Sequence, residues 1–320
     1  MRVIVTGGAG FVGSNVVAVA GERGDQVTAI VRSAPPRPDP RCSYIVLDLL
    51  DADALTDAVS SIRPDAVVHT AIWNDFAGIY ADRRRAWESY VGVTRTLADV
   101  TSETGAALVT VSSDWVFDGT QSMADESTPP NPVNYYGVLK AASELVTLER
   151  AHRPIVARVA GVLGVNRAGR ATPRNQDAGF GYFVDAVVAS LAAGERFTVW
   201  ESDSINGVAT PSLASLAGAW MLALAEEGAS GIFHCCSGEA TTRMELARRA
   251  ADVFGLDASL LEPGEPDPAA LPPAPVPFDT SLDARATACA LGREPPSLDE
   301  LLTRFRTERR AVEGALVPAE

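Results

Sequence analysis

Residues 3–13 read Val-Ile-Val-Thr-Gly-Gly-Ala-Gly-Phe-Val-Gly, an apolar β-branched run followed by a turn rich in glycine. The run predicts a strand, and the apolar residues from 11 to 19 predict a helix directly after the turn. Gly7, Gly10 and Gly13 let the backbone turn tightly and let a pyrophosphate approach the N–H groups at the helix start, where the helix dipole favours negative charge. An ordinary tight turn is the alternative, but this position in the chain favours a dinucleotide-binding site.

The same alternation of strand and helix continues to residue 159. Short apolar runs predict the strands, and amphipathic stretches predict the helices between the later ones. Apolar strands without internal alternation, separated by helices, are typical of a parallel sheet covered on both faces. We therefore predict an α/β fold with a doubly wound, Rossmann-type parallel sheet, with strands at 3–5, 26–31, 44–47, 66–69, 107–111 and 155–159 and helices at 11–19, 52–61, 84–104 and 134–151.

The regular alternation of strand and helix ends after residue 160. Helices are expected at 182–193, 211–227, 242–254 and 297–310, and isolated strands at 196–200 and 231–235. Seven prolines between 263 and 277 exclude helix there and favour an extended course. We therefore predict an NADP-binding Rossmann domain at 1–160 and a smaller α/β domain at 161–320 that mainly binds substrate and can interleave with the first.

The composition excludes several classes of function. Lys and Arg total 27 against 41 Asp and Glu, a net charge of -14, so nothing resembles the basic groove of a nucleic-acid-binding protein. The apolar start imitates a signal peptide but is interrupted by polar and glycine residues, and no membrane-length apolar run follows. The four cysteines contain no CxxC pair, so neither a disulfide framework nor a metal site is expected. A cytoplasmic protein bound to no membrane fits this composition.

The end of the second predicted strand is expected to set the cofactor preference. Arg32 and Ser33 stand where an acidic side chain would accept hydrogen bonds from the ribose hydroxyls of NAD. A guanidinium fork and a hydroxyl suit a 2′-phosphate, so NADP(H) is favoured over NAD(H), with a solvated arginine as the alternative. Asp48, after the third strand, most simply bonds the adenine amino group, and a helix cap is the alternative.

Lys140 is the only lysine among 27 basic residues. It follows Tyr136 by four positions in a predicted helix, so the two side chains share one face. The ammonium group would favour the phenolate and lower a pKa that starts near about 10, which makes Tyr136 a proton donor and acceptor near neutral pH. A surface pair of an aromatic ring and a cation is the alternative.

Residues 112–119, Ser-Ser-Asp-Trp-Val-Phe-Asp-Gly, follow the fifth predicted strand. A hydroxyl at the carboxyl end of a parallel strand points into the ligand crevice, where it can donate a hydrogen bond to a carbonyl oxygen that gains charge as hydride arrives. Ser112 and Ser113 cannot both face the crevice, since neighbouring side chains alternate along a strand. The alternative is that both serines only cap the following turn.

Three arginines form a cationic cluster in the loop after the sixth predicted strand. Arg167, Arg170 and Arg174 could receive the diphosphate of a sugar nucleotide on this otherwise acidic protein. A solvated loop is the alternative.

Together these motifs resemble the extended short-chain dehydrogenase/reductase superfamily over nearly the whole chain. Residues 6–13 are similar to its cofactor turn, 48–49 to its adenine contact and 69–71 to the segment that lines its cofactor. Within the superfamily, residues 112–119 are similar to the Ser-Thr-Asp-Tyr-Val-Phe-Asp-Gly stretch of the dTDP-4-dehydrorhamnose reductase family. The resemblance implies catalytic roles for Ser113, Tyr136 and Lys140, substrate contacts for Asp114 and Trp115, and cofactor contacts for Gly7, Gly10, Phe11, Val12, Arg32, Ser33, Asp48, Leu49, Ala71, Tyr136 and Lys140.

The resemblance implies an NADP(H)-dependent reductase of a carbonyl, the 4-keto group of a nucleotide-linked deoxysugar. In that reaction Tyr136 protonates the developing alkoxide, Lys140 lowers the pKa of Tyr136 and holds the nicotinamide ribose, and Ser113 polarises the carbonyl. A homodimer through helices of the first domain is expected by analogy alone.

Two departures from the family pattern leave alternatives open. Gly161 stands where such reductases usually carry a Trp against the sugar, and Tyr90 stands where the superfamily commonly has an Asn that organises a proton path. One alternative is an NAD-dependent sugar-nucleotide epimerase or dehydratase. The other is a non-catalytic NADP-binding subunit that resembles the methionine adenosyltransferase β subunit.

Overall fold

A seven-stranded parallel sheet forms the centre of the computed structural model, which describes residues 1–169 and 176–314. Its strand order is β3-β2-β1-β4-β5-β6-β9, which confirms the predicted doubly wound α/β fold. The strands are β1 Arg2–Thr6, β2 Gln26–Val31, β3 Cys42–Val46, β4 Ala66–His69, β5 Ala107–Ser113, β6 Arg153–Val159, β7 Phe197–Trp200, β8 Val208–Ala209, β9 Gly231–His234, β10 Thr241–Thr242 and β11 Leu261–Gly264.

The helices lie on both faces of this sheet and around the second half of the chain. They are α1 Phe11–Glu22, α2 Ala52–Ile62, α3 Phe76–Ala81, α4 Arg83–Trp87, α5 Val93–Thr104, α6 Tyr135–Arg150, α7 Phe183–Ala192, α8 Ala214–Glu226, α9 Arg243–Phe254, α10 Arg285–Ala290 and α11 Leu298–Gly314. The helix expected at 84–104 is interrupted by a π-helical turn at Glu88–Gly92. Such turns occur often at functional sites, and this one contains Tyr90.

The core has two layers because successive side chains of β1 point to opposite faces. Val3 and Val5 pack with α1 and α8, whereas Ile4 packs with α2 and α5. All three side chains are almost fully buried. The apolar runs of the sequence are therefore explained by burial on both faces of the sheet.

The strand expected to be isolated near residue 231 belongs to the main sheet. β9 pairs in parallel with β6, with Arg158 opposite His234. The second half of the chain thus contributes an edge strand to the sheet of the first half. A division into two domains at residue 160 stays a prediction.

The second half also has a core of its own beneath two small sheets. β7 pairs with β11 in parallel, and β8 pairs with β10 in antiparallel. A capping box begins the last helix, because the N–H of Ser297 donates to Glu300 Oε2 at 2.7 Å and the N–H of Glu300 donates to Ser297 Oγ at 3.2 Å. Phe183, Leu246 and Phe305 are buried between α7, α9 and α11.

The proline-rich stretch is mostly extended, but it differs from the prediction at one point. Residues 268–270 form a single 3₁₀ turn that begins with a proline, a position where the missing N–H costs nothing. Within the described residues, no helix combines the length and the apolar character that crossing a bilayer demands.

Candidate active site

The turn between β1 and α1 has the shape that the glycine spacing predicts. Gly7 has a φ of +70°, and a methyl group there would lie 2.8 Å from the Cα of Ala71. The N–H of Gly10 donates to the carbonyl of Gly7 at 2.8 Å, and a methyl group on Gly13 would overlap the same carbonyl. Gly10 is the N-cap of α1 and has no side chain to cap it, so the first amides of the helix are left for an anion. This cradle fits the pyrophosphate of a dinucleotide.

The residues expected at the adenosine end follow β2 and β3 as the sequence predicts. Arg32 and Ser33 are both exposed directly after β2. Asp48 is exposed as well, and its Oδ1 accepts a hydrogen bond from the N–H of Leu50 at 3.1 Å, so part of its bonding capacity stabilises the following turn. Leu49 is half-buried and borders a cavity of about 420 Å³ that also touches Thr96 of α5.

Phe11 and Val12 begin α1 on the same side of the sheet. The ring of Phe11 lies 4.8 Å from that of Tyr182, measured between centroids. Val12 is half-buried and packs against the core under α1 and α8. The two side chains therefore connect the glycine turn to the second half of the chain.

The two serines at the end of β5 face opposite ways, as strand alternation requires. Ser112 Oγ donates to Glu144 Oε1 of α6 at 2.5 Å. Ser113 lies close enough to Tyr136 to lower the pKa of the phenol, and its Oγ donates to Asp114 Oδ1 at 2.9 Å. Ser113 is thus the serine that lies beside the phenol.

Tyr136 and Lys140 lie one turn apart on α6. Lys140 Nζ is 5.9 Å from the centroid of the Tyr136 ring and 5.5 Å from that of Tyr90, and it donates to the carbonyl of Val111 at 2.9 Å. Burial lowers the pKa of Lys140 to about 8, and the negative charge of Glu144 works against that shift. The ammonium group is therefore held at the carboxyl end of β5.

The pKa of Tyr136 differs from the sequence-based expectation. Burial raises it to about 12, the hydrogen bond with Ser113 works against this rise, and the charge of Asp114 adds to it. Desolvation of the phenolate outweighs the attraction of the ammonium group, which is directed at Val111. In the protein alone, Tyr136 is a protonated phenol at neutral pH.

Aromatic rings surround this phenol. Phe76 lies 5.3 Å from Tyr136 and 5.7 Å from Trp115, between ring centroids, and Trp115 lies 5.9 Å from Tyr136. Tyr90 packs edge-on against Tyr136 at 6.2 Å and donates its hydroxyl to the carbonyl of Trp73. Sequence reasoning misses Phe76, since it belongs to a short helix without a motif.

The buried carboxylate of Asp114 connects β5 with a distant segment. Only 3% of Asp114 is exposed. Its Oδ2 accepts a hydrogen bond from Thr280 Oγ1 at 2.5 Å, while its Oδ1 faces Ser113. Burial raises the pKa of Asp114 to about 6, and the hydrogen bonds from Thr280 and Ser113 work against this rise. The sequence gives no signal for Thr280.

Ser113, Tyr136 and Lys140 lie next to the glycine turn. Lys140 acts electrostatically on His69, whose Nδ1 is 2.7 Å from Thr6 Oγ1, the residue before Gly7. Burial lowers the pKa of His69 to about 3, so its ring is neutral. A proton donor, a hydroxyl and a single ammonium group thus share one edge of the sheet with an anion cradle.

The sequence matches the family described as the RmlD substrate binding domain over residues 1–310. The chain belongs to this family. A dTDP-4-keto-6-deoxy-D-glucose reductase of Streptomyces niveus is 29% identical over 82% of this chain and 82% of its own, and the methionine adenosyltransferase 2 subunit beta of Xenopus tropicalis is 27% identical over 97% and 89%. The fold matches a crystal structure of dTDP-4-dehydrorhamnose reductase from Bacillus anthracis in complex with NADP, with a TM-score of 0.78, 21% identity, and coverage of 96% of this chain and 99% of that one.

In this member of the RmlD family, the three arginines expected to bind a diphosphate have different outcomes. Arg167 Nε donates to Asn15 Oδ1 at 3.0 Å, and its guanidinium lies 3.4 Å from Glu308, so it is held between α1 and α11. Arg170 and Arg174 lie outside the described residues.

Gly161 of this RmlD-family chain packs closely against an aromatic residue of another segment, Phe180. Gly161 has a φ of +44°, and a methyl group there would lie 2.6 Å from Phe180 Cβ. Arg243, which is buried, stacks 5.0 Å from the Phe180 ring and donates to the carbonyls of Asp177, Gly179 and Asn206. Arg243 therefore fixes the loop that carries Phe180, a role that no pattern in the sequence indicates.

Proposed function

We propose that this chain is an NADP(H)-dependent reductase that acts on a carbonyl, the 4-keto group of a nucleotide-linked deoxysugar. The observation that carries the proposal is the meeting of Ser113, Tyr136 and the sole lysine at the end of β5, beside the Gly7 turn. The family, and a relative named dTDP-4-keto-6-deoxy-D-glucose reductase, support the choice of substrate.

Residues of the chain would hold the cofactor along the carboxyl edge of the sheet. The amides after Gly7 and Gly10 receive the pyrophosphate, with Phe11, Val12 and Ala71 beside it. Arg32 and Ser33, both exposed, support NADP(H) by offering donors to a 2′-phosphate. Asp48 and Leu49 border the adenine, and Tyr136 and Lys140 hold the nicotinamide ribose. The bound cofactor supplies a hydride.

The side chains at the end of β5 then act on the carbonyl oxygen. Tyr136 donates its proton to the developing alkoxide, and its raised pKa suits this role because the phenol stays protonated until the alkoxide forms. Ser113 polarises the carbonyl by hydrogen bonding. Phe76 and Trp115 form an apolar wall that excludes water and fits the face of a sugar ring.

The substrate diphosphate would be bound by arginines of the loop after β6. Arg170 and Arg174 stay proposed ligands for it. Arg167 is already bonded to Asn15 and lies near Glu308, so it supports α1 more simply than it binds substrate. Asp114 borders the site behind Ser113 rather than in front of it, because both of its carboxylate oxygens have partners.

Tyr136→Phe tests the proposal. NADPH oxidation with a panel of nucleotide-linked 4-ketosugars should fall below detection, while the Kd for NADPH should stay within a few-fold of wild type. Tyr135→Phe is the matched control, since Tyr135 is the neighbouring tyrosine of α6 and its hydroxyl donates to the carbonyl of Arg83. Turnover retained by Tyr136→Phe would contradict the catalytic role.

A non-catalytic subunit is the second candidate, and the length of the match to one relative favours it. The relatives named methionine adenosyltransferase 2 subunit beta include one that aligns with 97% of this chain. Under this alternative, purified protein would bind NADPH but consume none with any ketosugar, and it would form a stable complex with a catalytic partner protein. NADPH turnover with a ketosugar would decide for the reductase.

A further inference from the structure

The hydrogen atoms around Ser113 are fewer than its proposed role requires. A serine hydroxyl has one hydrogen to donate and two lone pairs to accept with. Ser113 Oγ donates to Asp114 Oδ1 at 2.9 Å and accepts from the N–H of Trp115 at 3.2 Å, and it lies close enough to the Tyr136 phenol to lower the pKa of that group. While Asp114 is a carboxylate, Ser113 can therefore only accept from Tyr136, and it has no hydrogen left for a substrate carbonyl.

The protonation of Asp114 decides which way this chain of hydrogen bonds runs. When Asp114 carries a proton, it can donate to Ser113 Oγ, and the Ser113 hydrogen is then free to point toward Tyr136 or the carbonyl. Burial places the pKa of Asp114 at about 6, so both states are accessible near neutral pH. The ionisable groups that sense its charge are Tyr136 of α6 and Cys236 after β9.

Thr280 holds this carboxyl group from the other half of the chain. Its Oγ1 donates to Asp114 Oδ2 at 2.5 Å, and Asn206 Oδ1 lies 3.2 Å from the same hydroxyl. Thr280 and Asn206 are each 1% exposed, so both of these partners are buried. The hydroxyl of Thr280 stabilises the carboxylate form and thereby sets the pH at which Asp114 changes state.

We propose that Asp114, positioned by Thr280, returns a proton to Tyr136 through Ser113 during each reduction. The inference rests on the proposed reductase reaction. Once hydride has reached the carbonyl carbon, the O–H bond of Tyr136 breaks and its proton joins the alkoxide oxygen. The Ser113 proton moves to the Tyr136 oxygen, and the Asp114 proton moves to Ser113 Oγ. Each bonding electron pair stays on the oxygen that loses the proton, and the resulting Asp114 carboxylate is reprotonated from solvent.

The pH profile of kcat for ketosugar reduction tests this relay. In the wild type, kcat should fall about tenfold per pH unit above the pKa of Asp114, since the protonated form is the active one. Asp114→Asn has no proton to give, so kcat at pH 6 should fall at least about tenfold. The descending limb of the pH profile, which is the fall of kcat above the pKa of Asp114, should also disappear. A purely structural role would lower kcat without removing that limb.

Variants of Thr280 separate positioning from folding. Thr280→Val keeps the shape but removes a donor that favours the carboxylate, so the pKa of Asp114 rises and the limb moves to higher pH. Thr280→Ser restores the hydroxyl and should return the limb to its wild-type position. Asp279→Asn is the matched control, because Asp279 belongs to the same segment but bonds Ser281 rather than Asp114. A limb that does not move in Thr280→Val overturns the role of Thr280.

A second measurement needs no turnover. In protein labelled with ¹³C at aspartate Cγ and tyrosine Cζ, the Asp114 signal, identified by its loss in Asp114→Asn, should titrate near pH 6 and shift upward in Thr280→Val. The Tyr136 signal should respond at the same pH. Absence of this shared titration overturns the relay whatever the activity. If wild-type protein oxidises no NADPH with any ketosugar, the proposed function falls, and this titration alone decides whether Asp114 and Tyr136 are coupled.

Discussion

Lys140 occupies a space that fits an ammonium group and little more. Only 6% of the residue is exposed, and its Nζ donates to the carbonyl of Val111 at 2.9 Å. The rings of Tyr90 and Tyr136 lie within 6 Å of the same nitrogen. A planar guanidinium is larger and needs five partners for its N–H groups, so arginine cannot replace this lysine without moving the rings.

Lys140→Arg should therefore lower kcat/KM for the proposed ketosugar reduction by about 100-fold, equivalent to about 2.7 kcal/mol of transition-state stabilisation. The measurement is steady-state NADPH oxidation, with the thermal unfolding midpoint as a check on folding. Arg196→Lys is the control for a change between the two cations, because Arg196 is an exposed residue paired with Glu262. A Lys140→Arg variant with wild-type kcat/KM would show that the compact ammonium group is dispensable.

The sequence reveals these residues unevenly, for a physical reason. Tyr136 and Lys140 are one helical turn apart, so their proximity follows from local spacing alone. Thr280 contacts Asp114 across 166 residues of chain, and a lone threonine after a proline-rich stretch has no local pattern to mark it. Arg243 and Phe76 are hidden in the same way, because only the tertiary fold brings them to the site.

At the level of elements, a buried ion pair joins α6 to strand β6 of the main sheet. Arg158 of β6 donates to both carboxylate oxygens of Glu144 of α6, at 2.9 and 2.8 Å, and neither side chain is more than 3% exposed. Ser112 of β5 bonds the same carboxylate. Glu144 lies one turn after Lys140, so this pair also fixes the part of α6 that carries the site.

Removing one member of this pair should be costly. Glu144→Gln leaves the Arg158 guanidinium buried without a counter-charge, and the free energy of unfolding should fall by roughly 3–5 kcal/mol. The double variant Glu144→Gln with Arg158→Met removes both charges of the pair, so its loss should be smaller than the sum of the single losses. Urea unfolding of the four proteins measures this coupling.

An exposed pair between α6 and α5 provides the control. Arg150 and Asp99 lie 2.7 Å apart, with half and 43% of their side chains exposed, so Arg150→Met should cost less than about 1 kcal/mol. Additive losses for the buried pair would contradict the prediction.

The existence of most strands and helices can be predicted from the sequence, whereas the neighbour that each strand pairs with cannot always be. The apolar pattern predicts six of the strands in the main sheet, because most of them are buried on both faces, although the edge strand β3 is only partly covered. The same pattern predicts a strand at 231–235 without its place, since β9 reaches β6 only after α7, β7, β8 and α8 have intervened. The break in the helix at Glu88–Gly92 is also hidden, because apolar residues continue through the π-helical turn.

At the scale of the whole molecule, acid affects stability through buried groups more than through net charge. Acidification from pH 7 reduces the charge of -14 and so reduces self-repulsion. Burial lowers the pKa of His69 to about 3 and that of His234 to about 4, from 6.5 in the unfolded chain. Their stabilisation is complete above pH 6.5 and is lost as pH falls toward the folded values, which amounts to roughly 2 kcal/mol for each histidine at pH 5.

Asp114 contributes with the opposite sign. Its folded pKa of about 6 exceeds the ordinary value of 3.8, so the folded state gains stability as pH falls through 6, roughly 1 kcal/mol at pH 5. The two histidines outweigh this gain. We therefore expect the free energy of unfolding to fall by about 3 kcal/mol between pH 7 and pH 5.

His234→Gln isolates one part of that loss. His234 Nδ1 lies 2.9 Å from the carbonyl of Asp283 and its Nε2 lies 3.4 Å from Arg158, so a second proton on the ring would place a cation beside a buried guanidinium. Without the titrating ring, the variant should lose about 2 kcal/mol less than the wild type between pH 7 and pH 5, measured by urea unfolding at both pH values. His152→Gln is the matched control, because it makes the same substitution at an exposed histidine. Equal acid losses in wild type and His234→Gln would mean that burial of this ring does not set the acid stability of the molecule.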